Sequence, residues 1–554
     1  MRNEVHDDDE PILRLNGEEE EDADIDLDGG KTEARIFNKQ FAPLEECPFK
    51  ALLELKGIGA NEGRLGVDLV TILDISGSMI QLTEEQKKKN EAPKLVKMQL
   101  AMQFLVKKLS RVDRLSVVTF NRKAEKLCPL RQITEDSQKE IIDQVNVLKA
   151  KSTTNTEAGL KLALKILKDR TRTKNRSVAI MLMTDGIEDA ESEAISVPLG
   201  NVPVYTFAFG ADQCDPEVLS AIAKKSNGGT FSPVPDLNDL SVAFSTALAG
   251  LLNVSIEDLT LTVAPLNRSQ LNEVNAGNYP KTKQATVMEP VTVTFRSLYD
   301  RETRKVLALL TLPKVDARKG ILTYRLVYKY RVNGKNEYDS DTRDINVTRT
   351  DKQIDEERPE VLAEEKRIKT ASSITAARLL ADKKKLEEAR AELIAAGKSL
   401  TEIDAILKSQ VDHLILLMVS QETYDEQGSA YALALEASHE SQRATALPAG
   451  VKSGFEIPLV GEFNKQAKAH SLDPDNYVVP TVKEDKKAVA PPTVEVDEPI
   501  LDLAHRLAET LKILDSQAPT KQVDLEKVQE ISDLSQRLAE KLEELNSQAP
   551  SSSS

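Results

Sequence analysis

Val67-Asp68-Leu69-Val70-Thr71-Ile72-Leu73-Asp74-Ile75-Ser76-Gly77-Ser78-Met79 is an apolar run that ends in one carboxylate and two hydroxyls at alternate positions. A short Val/Ile/Leu-rich segment reads as a buried strand, and the loop leaving its carboxyl end in an open α/β sheet is where such folds bind ligands. Asp74, Ser76 and Ser78, at i, i+2 and i+4, can converge on a cation, and Gly77 lets the backbone turn tightly between them. Alone the string is a weak signal, because Asp and Ser are common turn residues.

Two further segments strengthen it. Val178-Ala179-Ile180-Met181-Leu182-Met183 is a second apolar strand that runs into an acidic turn, Thr184-Asp185-Gly186. Between the strands lies a hydroxyl-rich loop, Ser152-Thr153-Thr154-Asn155-Thr156, followed by a helical stretch from Glu157 to Asp169. Three such loops in this order resemble the metal-ion-dependent adhesion site of the von Willebrand factor type A domain. The resemblance implies that Ser76 and Ser78 coordinate a divalent cation directly, that Asp74 acts largely through water, and that Thr154 and Asp185 complete the set. The family usually has a Gly-Gly pair before its threonine, where this chain has Ser152-Thr153, so Thr153 and Thr156 stay open as alternatives to Thr154.

The chemistry of such a set favours binding over catalysis. Neutral hydroxyl ligands, with carboxylates held back behind water, leave a hard cation electrophilic and with a position to fill. A partner protein's Asp or Glu can fill it. Magnesium, with manganese and calcium as alternatives, suits this mixed oxygen set. Hydrolysis also calls for a positioned base, and no His lies between His6 and His413, so the expectation is a binding protein and not an enzyme.

At 554 residues the chain exceeds one domain on the usual scale of about 100–200 residues each. A formal charge of −16 argues against nucleic acid and anionic membrane as partners, since both select basic surface. The three cysteines, Cys47, Cys128 and Cys214, are too few and too scattered for a disulfide framework or a zinc site. With an acidic start and no apolar run near the ~18 residues of a membrane span, the reading is cytoplasmic.

Composition divides the chain further. Residues 1–33 form an acidic tail too polar to bury a core, and 34–65 carry strand pieces that complete a later β domain. The α/β unit, a doubly wound and mostly parallel sheet, occupies 66–252, with Leu95, Met98, Ala101, Met102 and Leu105 as the core stripe of a covering helix. Period-two segments such as Leu259-Thr260-Leu261-Thr262-Val263 make 253–350 a small antiparallel β domain. Residues 351–445 read as helical, with helices at 401–420 and 427–444 among them, and 446–496 as linker. At 497–550 an internal repeat places leucines at helical spacing in two copies, a surface suited to homo-oligomer formation through coiled-coil pairing.

Over residues 35–450 this order of segments is similar to the plant wavy-growth family of RING-type ubiquitin ligases. The strings that carry the likeness include Asp113-Arg114-Leu115-Ser116-Val117-Val118-Thr119-Phe120 and Asn227-Gly228-Gly229-Thr230-Phe231. A RING needs about eight Cys or His ligands in paired spacing. This chain has three Cys and five His, none in C-x-x-C spacing. The resemblance therefore implies a metal-dependent binding module or adaptor, or else an accessory subunit that binds a RING-type relative in ubiquitin transfer.

Overall fold

The computed structural model describes residues 31–480, apart from 60–63, 83–86, 89–90, 175, 186–192, 210–214, 235–238, 333–337, 352–355 and 449. The chain divides into two units, Met1–Asp485 and Lys486–Ser554. The second unit, with the leucine repeat at 497–550, lies outside the described residues, as does nearly all of the acidic tail.

Strands β1 (Lys31–Asn38), β2 (Phe41–Pro43) and β3 (Cys47–Ile58) come first. The α/β unit follows: β4 (Gly66–Asp74), α1 (Lys94–Lys108), β5 (Arg114–Phe120), β6 (Ala124–Gln132), α2 (Glu135–Asn146), α3 (Thr156–Asp169), β7 (Arg176–Thr184), β8 (Val204–Phe209), α4 (Pro216–Lys225), β9 (Phe231–Val234) and α5 (Leu240–Leu251). Its sheet has the order β6-β5-β4-β7-β8-β9, parallel throughout except for β6 at one edge. All nine residues of β4 are buried, as a strand covered on both faces by helices must be. Leu69 and Leu73 face the core under α1 and α5, while Val70 and Ile72 face the one under α3 and α4.

The chain then continues through β10 (Val254–Pro265), β11 (Gln270–Asn275), β12 (Val291–Thr294), β13 (Ser297–Tyr299), β14 (Thr303–Leu312), β15 (Lys319–Val332) and β16 (Tyr338–Thr350). These strands join the first three in a sandwich of two sheets, β1-β3-β14-β11 and β12-β10-β15-β16-β2. Ten register pairs link β3 to β14, so the α/β unit is an insertion between β3 and β10 of one β domain. Phe49, Leu53, Leu261, Val293 and Tyr324 belong to its common core.

Helices α6 (Pro359–Asp382), α7 (Leu386–Gly397), α8 (Ala405–Leu417), α9 (Ser429–Ser441) and α10 (Pro458–Leu472) complete the described chain. The 401–420 helix expected from sequence starts later, after a 3-10 turn at Glu402–Asp404, and the 427–444 helix is α9. Leu433, Ala434 and Ala437 of α9 sit in the core of the α/β sheet, beside Leu219 and Phe231. The helical region therefore shares a core with the α/β unit.

The linker reading of 446–496 is corrected over its first part. Val460, Phe463, Ala467 and His470 of α10 are buried at helical spacing, Val460 and Phe463 against the α1/α5 core and Ala467 against Phe104. Prolines at either side and a polar outer face masked this stripe in the sequence. Lys108 of α1, its pKa lowered to about 8 by burial, is held there by Gln466 Oε1 at 2.6 Å and by the Phe463 ring, 4.1 Å from its ammonium.

Candidate metal site

β4 and β7 are parallel neighbours in register Leu73↔Met183, which carries the next residues, Asp74 and Thr184, out of the sheet side by side. Thr184 Oγ1 donates to Asp74 Oδ2 at 2.6 Å, and the Ser76 amide donates to Asp74 Oδ1 at 2.7 Å. Both carboxylate oxygens are thereby fixed. Ser76 Oγ and Ser78 Oγ stand 3.0 Å apart, Ser76 buried and Ser78 half-buried. Met79 inserts into the core beneath them and anchors the loop.

The loop before α3 is pinned alongside. The Gly77 amide donates to Ser152 O at 2.9 Å, and the Lys151 amide to Ile75 O at 2.8 Å. A Cβ on Gly77 would stand 3.3 Å from that same Ser152 carbonyl, a close approach that only glycine meets without a shift. Ser152 has φ +73°, the left-handed region in which the family's glycine would sit at lower cost. Thr153 is exposed, Thr154 half-buried and Thr156 buried in the first turn of α3, whose amide at Ala158 is capped by Asn155 Oδ1 at 2.9 Å.

Asp185 follows β7 and is fully buried. Its Oδ2 lies 3.2 Å from Lys94 Nζ, and its Oδ1 has no hydrogen-bond partner. Burial, with the Asp185 charge adding to it, raises the Asp74 carboxyl to about 6. Two buried carboxylates that repel one another, one with a bare oxygen, favour a cation between them. Among the described residues no group of three or more His, Cys, Asp and Glu side chains could hold a metal, so any such site here must use hydroxyls.

The structure thus brings Asp74, Ser76, Ser78 and Asp185 to one sheet edge and sets the Thr154 loop against them. Sequence reading missed Thr184 and Lys94 as members of the cluster. Lys94 had a visible signal: with Met98, Ala101 and Leu105 it occupies i, i+4, i+7 and i+11, a charge on the apolar face of α1.

With this arrangement of sheet and loops, the chain carries a von Willebrand factor type A domain, whose family matches residues 68–246. Such domains are generally protein-interaction modules. The chain is similar to two Arabidopsis thaliana proteins, the probable E3 ubiquitin-protein ligase WAVH2 and the E3 ubiquitin-protein ligase WAV3. It is 28% identical to each, over 219 and 273 residues, or 38% and 48% of this chain. The match spans only 28% and 34% of the length of those relatives. The solved von Willebrand factor type A protein from Catenulispora acidiphila aligns over 76% of this chain and 98% of its own, with TM-score 0.57 and 16% identity, a likeness of fold.

Proposed function

We propose that the chain is a cytoplasmic, metal-dependent protein-binding module in which Asp74, Ser76, Ser78, Thr154 and Asp185 hold a divalent cation of the magnesium class. The bare, buried Oδ1 of Asp185 beside the raised carboxyl of Asp74 carries this reading. When bound, the cation supplies an electrophilic position for an Asp or Glu of the partner. The chain's own groups do the rest. Thr184 and the Ser76 amide orient Asp74, Gly77 locks the two loops together, and Ile80, 52% exposed beside the site, offers apolar contact to a docked protein.

Calorimetric titration of the full chain with Mg²⁺ and Mn²⁺ tests the assignment. Binding lost in a folded Asp74→Ala variant supports it, and unchanged affinity refutes it. Normal binding by Thr154→Ala, with loss in Thr153→Ala or Thr156→Ala, moves the threonine ligand.

A second reading, an accessory subunit in ubiquitin transfer, rests on the similarity to the two named ligases. Recovery of a ligase relative through residues 359–550 supports it. Recovery that needs only the α/β unit, and disappears with chelator, favours the first reading alone.

A further inference from the structure

At the opposite edge of the α/β sheet from Asp74, the start of β7 faces the β sandwich across a cleft of about 580 Å³. β7 is nine residues long, which puts this cleft roughly 25 Å from the metal loops at about 3.3 Å per residue. Its described lining includes Arg170, Lys174, Arg176, Arg296, Lys329 and Arg331, against two carboxylates, Glu257 and Asp258. In a chain of net charge −16, six cations around one small volume are a local inversion of the composition.

The two carboxylates are already engaged. Arg331 Nη2 donates to Glu257 Oε2 at 2.6 Å and its Nε to Asp258 Oδ2 at 3.1 Å, while the Tyr338 hydroxyl donates to the same Asp258 oxygen. Behind the cleft Asp68 is bonded by three guanidinium groups, those of Arg114, Arg170 and Arg176, so one negative charge meets three positive ones. The Arg296 side chain has no hydrogen bond or ion pair to any described residue; burial lowers its pKa, against a longer-range attraction to Glu257 and Asp258, the carboxylates that Arg331 already holds. The Lys329 ammonium sits over the Tyr338 ring at 4.5 Å and is exposed to the cleft. The cleft's cations therefore outnumber the carboxylates beside them, and excess positive charge in a partly buried space is costly unless a ligand offsets it.

We infer that this cleft binds a compact, multiply charged oxyanion of the oligophosphate class, with Arg296 and Lys329 as its principal contacts. The guanidinium group offers paired N–H donors in a plane that match a phosphate edge, and Thr173, Thr260 and Thr294 line the cleft with hydroxyls. The volume lies within the 300–1,000 Å³ range common for small-molecule sites. The site is independent of the metal reading.

Calorimetry on the full chain with inorganic tripolyphosphate, in buffer free of divalent metal, tests it. One site per chain is expected, with affinity that falls as salt rises. Arg296→Gln and Lys329→Gln should each weaken binding at least tenfold, while Lys314→Gln, outside the cleft lining, leaves it unchanged. Lys329 is exposed, so its variant carries the test if Arg296→Gln fails to fold. Absence of binding, or equal affinity in the folded Lys329→Gln and Arg296→Gln variants, overturns the proposal. Binding seen only after removal of residues 1–30, with its thirteen Asp and Glu, also overturns it: the anion then comes from the chain itself.

Discussion

The ammonium of Lys94 stands 3.2 Å from Oδ2 of Asp185, with only 7% and 0% of their side chains exposed. Residues 91 apart in the chain thus form a buried ion pair at the edge where the loops after β4 and β7 meet. One charge of the pair comes from the first residue of α1 and the other from the end of β7, so folding of the whole α/β unit is needed to join them.

Lys94→Met removes the counter-charge and leaves a buried carboxylate beside Asp74. Breaking such a pair costs about 3–5 kcal/mol. The metal-free protein should lose stability on this scale in denaturant titration. Under the proposed function, Mg²⁺ then raises the melting temperature more in the variant than in the parent chain, because it restores the missing positive charge. An equal or smaller Mg²⁺ response argues against a cation at Asp185.

Asp74 gives a pH signature. Its carboxyl titrates near 6 when folded and near the ordinary 3.8 when unfolded. Between those values the folded chain keeps a proton that the unfolded chain has released, so metal-free stability falls as pH rises from about 4 to 6 and stays lower above. Asp74→Asn cannot ionise and should be more stable than the parent at pH 7 by on the order of 2 kcal/mol, with no difference near pH 4. Taking the difference between the two proteins cancels the opposite effect of His439, whose pKa burial lowers to about 3. A difference that does not vary with pH refutes the assignment.

Ser152 holds a left-handed backbone at φ +73°. Ser152→Gly should relieve that strain and stabilise the domain by about 0.5–1 kcal/mol in thermal or denaturant unfolding. Ser152→Val, branched at Cβ, should destabilise it. Equal stability of both variants would mean that the loop takes another conformation in solution.

Phe463 is 1% exposed in the core that α10 shares with α1 and α5. Phe463→Ala should cost about 3–5 kcal/mol, the range for a truncated buried aromatic. A chain ending at residue 457 should be destabilised too. If it unfolds at the same denaturant concentration as one ending at 480, α10 contributes nothing to the fold.

Periodicity and spacing made much of the fold legible. The apolar runs of β4 and β7, each ending in a carboxylate turn, define a parallel sheet and its ligand edge, because a strand buried on both faces has no choice but a continuous apolar stretch. Asp74, Ser76 and Ser78 were legible together for a related reason: their spacing is local, so one loop places all three. Tertiary structure alone decided the rest. The approach of Lys94 to Asp185, the seating of α9 and α10 on the α/β unit, and the cluster of arginines around Asp68 join residues with no periodic relation to one another. Local sequence sets which faces must be buried, but which face covers which depends on the packing of the entire chain.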